Sequence, residues 1–105
     1  MNVQISYKGI QPSSHMEKFF EVKSRKLGKF TRSFQDDAVQ LRASLERQAH
    51  KDVYIASLRL SFPQKILTAK EMGPELMPAL HAAMEDLLKQ LEKFKSRLKR
   101  EHLGR

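Results

Sequence analysis

The chain has no cysteine. Disulfide scaffolds, thiolate zinc sites and thiol nucleophiles are therefore excluded. Carboxylates are scarce: 12 Asp and Glu stand against 20 Lys and Arg, a formal net charge of +8 over 105 residues. An imbalance of that size says little about fold. It points to an anionic partner, either nucleic acid or an anionic membrane surface. No run of about 18 apolar residues occurs, so no segment reads as a membrane span. Residues 1–7 lack a basic stretch followed by an apolar block and do not read as a secretory signal. The cytoplasm is the expected location. Gly9, Gly28, Gly73 and Gly104 are the only glycines, and none falls in a loop of the kind that cradles phosphate.

Hydrophobic residues make up 40% of the chain, enough for a folded core. The length suits one domain over residues 1–105. Val3, Ile5 and Tyr7 alternate with polar residues, the period of a strand with one buried face. Gly9 and Pro12 break it. Ser14-x-x-Glu17 has the form of a capping box, and a helix over 14–30 follows. Its stripe is Met16, Phe19, Phe20, Leu27 and Phe30.

Val39, Leu41, Ala43 and Leu45 predict a second strand, and Tyr54, Ala56, Leu58, Leu60 and Phe62 a third. A short fourth strand is expected over 65–70, ended by Gly73-Pro74. Leu76, Leu80, Met84, Leu87, Leu91, Phe94 and Leu98 then step by three or four residues. They predict a helix over 76–100, about 37 Å long at 1.5 Å per residue. Pro78 near its start occupies a turn whose N–H groups are unpaired anyway.

The order β-α-β-β-β-α implies an α+β domain in two layers, a four-stranded sheet with two helices on one face. Strands one and two should be parallel through a right-handed crossover, and the rest an antiparallel meander. With about five large side chains buried per stripe, the helices should supply most of the core.

The helical wheel gives the charges a direction. On the last helix Lys89, Lys93, Arg97 and Arg100 lie opposite the apolar stripe. On the first, Lys18, Arg25 and Lys29 point away from the core, Lys26 sits at the stripe's edge and Arg32 follows the helix. Side by side, the two helices would present one basic surface. An ordinary solvated face carries both signs; here Glu85, Asp86 and Glu92 are the offsetting carboxylates, mostly on earlier turns. Lys23 falls inside the first helix's stripe. Its methylenes can cover apolar surface while its amine emerges between the helices, where phosphate could meet it.

Other chemistry is absent. His15, His50, His81 and His102 show no metal-ligand spacing and read as surface residues. Asp36-Asp37 reads as a loop and strand start. No nucleophile has a base near it. No catalytic residue, metal ligand, cofactor or small-molecule substrate is expected, and the chain does not read as an enzyme. The open sheet face should show Gln40, Arg42, Ser44, Ile55, Ser57 and Arg59, with no aromatic for base stacking. Phosphate and shape recognition through the helices is the expected mode.

Ile10-x-x-Ser13-x-x-Met16, Lys23-x-x-Lys26-Leu27 and the run from Leu87 to Lys95 resemble the bacterial ribosome hibernation promoting factors, also called ribosome-associated inhibitors or sigma-54 modulation proteins. The resemblance covers nearly the whole chain and rests on the joint register of its elements. It implies a fold resembling a double-stranded-RNA-binding domain, and a partner, the small ribosomal subunit and its rRNA. It further implies translation inhibition, by occlusion of the channel for messenger RNA and A- and P-site transfer RNA. Carried over by position, rRNA contacts would fall on Lys23, Lys26, Lys89, Lys93 and Lys95. The chain departs from the family pattern at Glu75, Met77, His81 and Asp86. It looks like a short form, expected to be monomeric off the ribosome. The alternatives are a general duplex-RNA-binding module and a protein-interaction module acting through the last helix.

Overall fold

The computed structural model describes residues 1–32 and 38–103, with side chains as far as Arg97. Asp36, Asp37, Gly104 and the side chains of Leu98, Arg100, His102 and Leu103 lie outside the described part. The elements are β1 (Asn2–Lys8), α1 (Ser14–Phe30), β2 (Gln40–Arg47), β3 (Tyr54–Ser61), β4 (Ile66–Gly73) and α2 (Leu76–Leu103). The sheet runs β1-β2-β3-β4. β1 and β2 are parallel; β2–β3 and β3–β4 are antiparallel. This is the expected α+β architecture.

The end of β4, the end of α2 and the cap of α1 differ from the sequence reading, each for a local reason. β4 continues to Gly73 because Glu71 and Met72 keep pairing with Ala56 and Ile55. α2 continues past Arg100 to Leu103 because no glycine or proline interrupts it between Pro78 and Gly104. The cap of α1 is Ser13, not Ser14. Ser13 has extended backbone, its side-chain oxygen accepts from the Met16 N–H at 3.2 Å, and its carbonyl accepts from the Glu17 N–H at 3.0 Å. Glu17 thus lies one position too late for a reciprocal capping box. At the other end Thr31 is buried, and its N–H donates to the Leu27 carbonyl at 3.1 Å.

The core lies between the sheet and the helices. Among the described residues it draws ten buried side chains from the helices and ten from the sheet layer, so the helices do not dominate it as expected. The sheet matches them because Leu41, Leu45 and Leu60 all sit fully buried on its inner face. α2 covers β3 and β4. Gln90 Nε2 also donates to the Thr68 carbonyl at 2.7 Å, engaging a backbone group of the outer strand β4. β1, the other outer strand, is covered less: Val3 is exposed, and Ile5 and Tyr7 are half-buried. Burial, and secondarily the charge of Glu17, raise the Tyr7 hydroxyl above its ordinary pKa.

Topology also fixes the helix directions. α1 returns between two parallel strands and so runs against them. β4 points the same way as β1 and β2 after two antiparallel reversals. α2 follows β4 after a two-residue break and also turns back. The helices therefore run in the same direction, side by side.

The two serines separate the capping roles. Ser13→Ala should cost about 1 kcal/mol of unfolding free energy, the usual loss for an N-cap. Ser14→Ala should cost less than about 0.5 kcal/mol, as for an exposed first-turn site. Urea denaturation of both variants checks this.

Candidate nucleic-acid interface

Two contacts join the helices and confirm their shared direction. The Phe19 ring meets His81 edge-on with centroids 4.8 Å apart, and further along the Lys95 ammonium lies 5.1 Å from the Phe30 ring centroid. A groove runs between them. Near the helix starts it is lined by His15, Lys18, Phe19, Val22, Lys23 and His81, around a space of about 260 Å³. Near the end of α1 it is lined by Phe30, Glu92, Lys95 and Ser96. A second depression of about 530 Å³ on α2 is lined by Lys89, Glu92, Lys93, Ser96 and Arg97. Glu92 and Ser96 line both, so the depression is continuous with the groove at its end near Phe30.

The site residues read from the sequence sort out as follows. Lys23 is half-buried, with its ammonium 5.8 Å from the Phe19 centroid, at the mouth of the groove. Its stem packs and its charge remains accessible, so the two readings of it are compatible. Lys95 reaches across to Phe30 in the same way. Lys26 and Lys29 are exposed. At about 100° per residue Lys26 falls on the groove side, between Val22 and Phe19, and Lys29 falls nearer the outward face, between Lys18 and Val22. Lys89, Lys93 and Arg97 come together in one depression. Arg25 is the exception. Its Nη2 donates to Glu21 Oε1 at 2.7 Å, an exposed pair one turn apart that engages the cation within the helix. The Arg100 side chain lies outside the described part.

Sequence reasoning missed that His15 and His81 line one groove. Each looks like an isolated surface residue on its own helix, and only the packing of α1 against α2 brings both to one groove. Lys18 is drawn into that groove too. No spacing within either helix could have signalled this.

The electrostatics favour an anionic ligand. Ion pairs among the described residues are Lys8–Glu46, Arg25–Glu21 and Arg47–Asp52. Lys23, Lys26, Lys29, Lys89, Lys93, Lys95 and Arg97 have no carboxylate partner among them. On the wheel, Glu17 and Glu21 fall on the flank of α1 away from α2. Cations near a helix C-terminus also stabilise the helix itself, but only within the last turn. That explains Lys29. It does not explain Lys89 or Lys93, which both lie more than two turns before Leu103. Among the described residues no group of three His, Asp or Glu is placed to hold a metal ion, and no helix is long and apolar enough to cross a membrane.

The domain is thus a two-layer α+β fold whose parallel helices carry cations with no carboxylate partner among the described residues. The family model described as sigma 54 modulation protein / S30EA ribosomal protein matches residues 3–99. The chain belongs to that family. Solved structures agree on the fold. The Protein Y N-terminal domain from Thermus thermophilus superposes with a TM-score of 0.71 at 18% identity, over 90% of this chain and 99% of that one. A ribosomal subunit interface protein from Coxiella burnetii gives 0.70 at 18% identity, over 91% and 99%. No curated protein matches the sequence.

Glu92 is the carboxylate shared by groove and depression. Glu92→Gln should make the protein elute from a heparin column at higher salt, and Lys93→Gln at lower salt. Equal elution of both variants would show that this surface does not meet the polyanion.

Proposed function

We propose that this protein binds the small ribosomal subunit through the α1–α2 face and silences it by occupancy. Lys23, Lys26 and Lys95 meet rRNA phosphates at the groove, and Lys89, Lys93 and Arg97 meet them along α2. The bound domain fills the channel used by messenger RNA and by A- and P-site transfer RNA. No bond is made or broken. The ribosome is inhibited because its decoding site is full. The observation that carries this reading is the gathering of Lys89, Lys93, Lys95 and Arg97, none with a carboxylate partner among the described residues, around two depressions that share Glu92 and Ser96, in a chain of this family.

Phosphate contacts make the mechanism salt-dependent. Each neutralised phosphate releases counterions, so six to eight contacts give a slope of log affinity against log salt of about −4 to −7. Asp86 is exposed on the wheel ridge that also carries Lys93, where the family pattern has a lysine. A carboxylate there weakens the local field, which makes this chain a weaker ligand than its Asp86→Lys variant.

The test is co-sedimentation with purified small subunits, challenged by messenger RNA plus initiator transfer RNA or by unrelated duplex RNA. Saturable binding displaced only by the ribosomal ligands is expected. Lys89→Glu/Lys93→Glu should reduce affinity at least about 100-fold, each reversal removing one contact and adding a repulsion of about 1–2 kcal/mol. Equal displacement by any duplex would instead make the protein a general duplex-RNA-binding module. Unchanged binding of the double variant would remove the helix face from the mechanism.

A further inference from the structure

The sheet's other face is not part of the surface just described, and it carries its own unpaired charge. In the strand register, Arg42 on β2 stands directly opposite Arg59 on β3. Like charges in that relation destabilise a sheet, and a protein seeking stability alone would place a carboxylate or a neutral residue at one of them. One row along, Ser6, Ser44, Ser57 and Lys70 align across the four strands. The short serines leave a dish of about 580 Å³ beside the taller arginines. Arg42, Arg59 and Lys70 are exposed and have no hydrogen-bond or ion-pair partner among the described residues. The carboxylate on this face, Glu46, is held 3.5 Å from Lys8 at the far row.

The chemistry narrows the occupant. Three cations edged by hydroxyl groups suit phosphate, since guanidinium groups grip its oxygens in pairs and serine donates a neutral hydrogen bond. The dish is shallow and open along the sheet, so it cannot enclose a free nucleotide as a ligand pocket would. No aromatic side chain stands on the open-face positions, which excludes base stacking as the grip. What fits is a sugar-phosphate backbone lying across the strands. We infer that the open sheet face, through Arg42, Arg59 and Lys70, is a second RNA-backbone site, on the opposite side of the domain from the helices. The domain then holds two RNA segments at once, one on each face.

The experiment uses the full chain and a labelled 12-nucleotide uridine strand. The helix face is first disabled by Lys89→Glu/Lys93→Glu, so that the sheet is read separately. That variant should still bind the strand at low salt with a slope near −2, three contacts at about 0.7 each. Adding Arg42→Gln/Arg59→Gln should lower affinity at least about 10-fold while the thermal melt stays cooperative. In a second arm, two RNA hairpins carrying donor and acceptor dyes should show energy transfer when mixed with the wild-type protein. The Arg42→Gln/Arg59→Gln protein should lose that signal. Three results overturn the inference: no strand binding once the helix face is disabled, no effect of the arginine substitutions, or equal binding of an oligoglutamate of the same charge. The last would make the face a protein-docking surface.

Discussion

Both helices must bury an apolar stripe on the same face of one sheet, and the rest of the structure follows from that requirement. The sheet has two faces, but only one is greasy. Leu41, Leu45, Leu58 and Leu60 are all turned to it and are almost fully buried. The right-handed crossover puts α1 on that face, and the two antiparallel reversals deliver α2 to it in the same direction. Once the stripes are buried, the wheel leaves no freedom: residues opposite the stripes face outward together. Cations spaced along two separate helices thereby become neighbours. The basic α1–α2 face is a consequence of how the core is packed.

The two cation–ring contacts let one side chain both pack and present a charge. Lys23 over Phe19 and Lys95 over Phe30 place ammonium groups at the seam where the helices meet. Their stems close the groove over apolar rings, and their charges stay in solvent. An unpaired lysine on a bare surface samples many rotamers and loses that freedom on binding. These two are already partly held, so less freedom remains to be lost when phosphate arrives.

Much of this was legible in the sequence, for reasons that can be named. The ranges of α1 and the inner strands followed from periodicity, because period two and period 3.6 do not mimic each other over eight or more residues. Lys89 and Lys93 were legible because a single wheel fixes their direction. The true cap was not, since Ser13 and Ser14 are equivalent as residue types and only the backbone at Ser13 decides between them. That His15 and His81 line one groove was not legible, because it depends on the packing of two helices separated in sequence by the three strands β2 to β4. The pairing of Arg25 with Glu21, one turn earlier, was not legible, because the wheel gives Arg25 its direction and not its side-chain partner. The dish on the open face needed the strand register: Arg42 and Arg59 can be assigned to one face from alternation, but not set opposite each other.

The central claim is that the α1–α2 face meets phosphate on the small subunit. Lysine reactivity tests it most directly. Free and subunit-bound protein would be reductively methylated and the modification of each lysine read by mass spectrometry. The account predicts strong protection of Lys23, Lys26, Lys89, Lys93 and Lys95, with Lys51 and Lys65, exposed in the turns between strands, labelled as in the free protein. Protection of Lys51 and Lys65 with the helix lysines still reactive would contradict it.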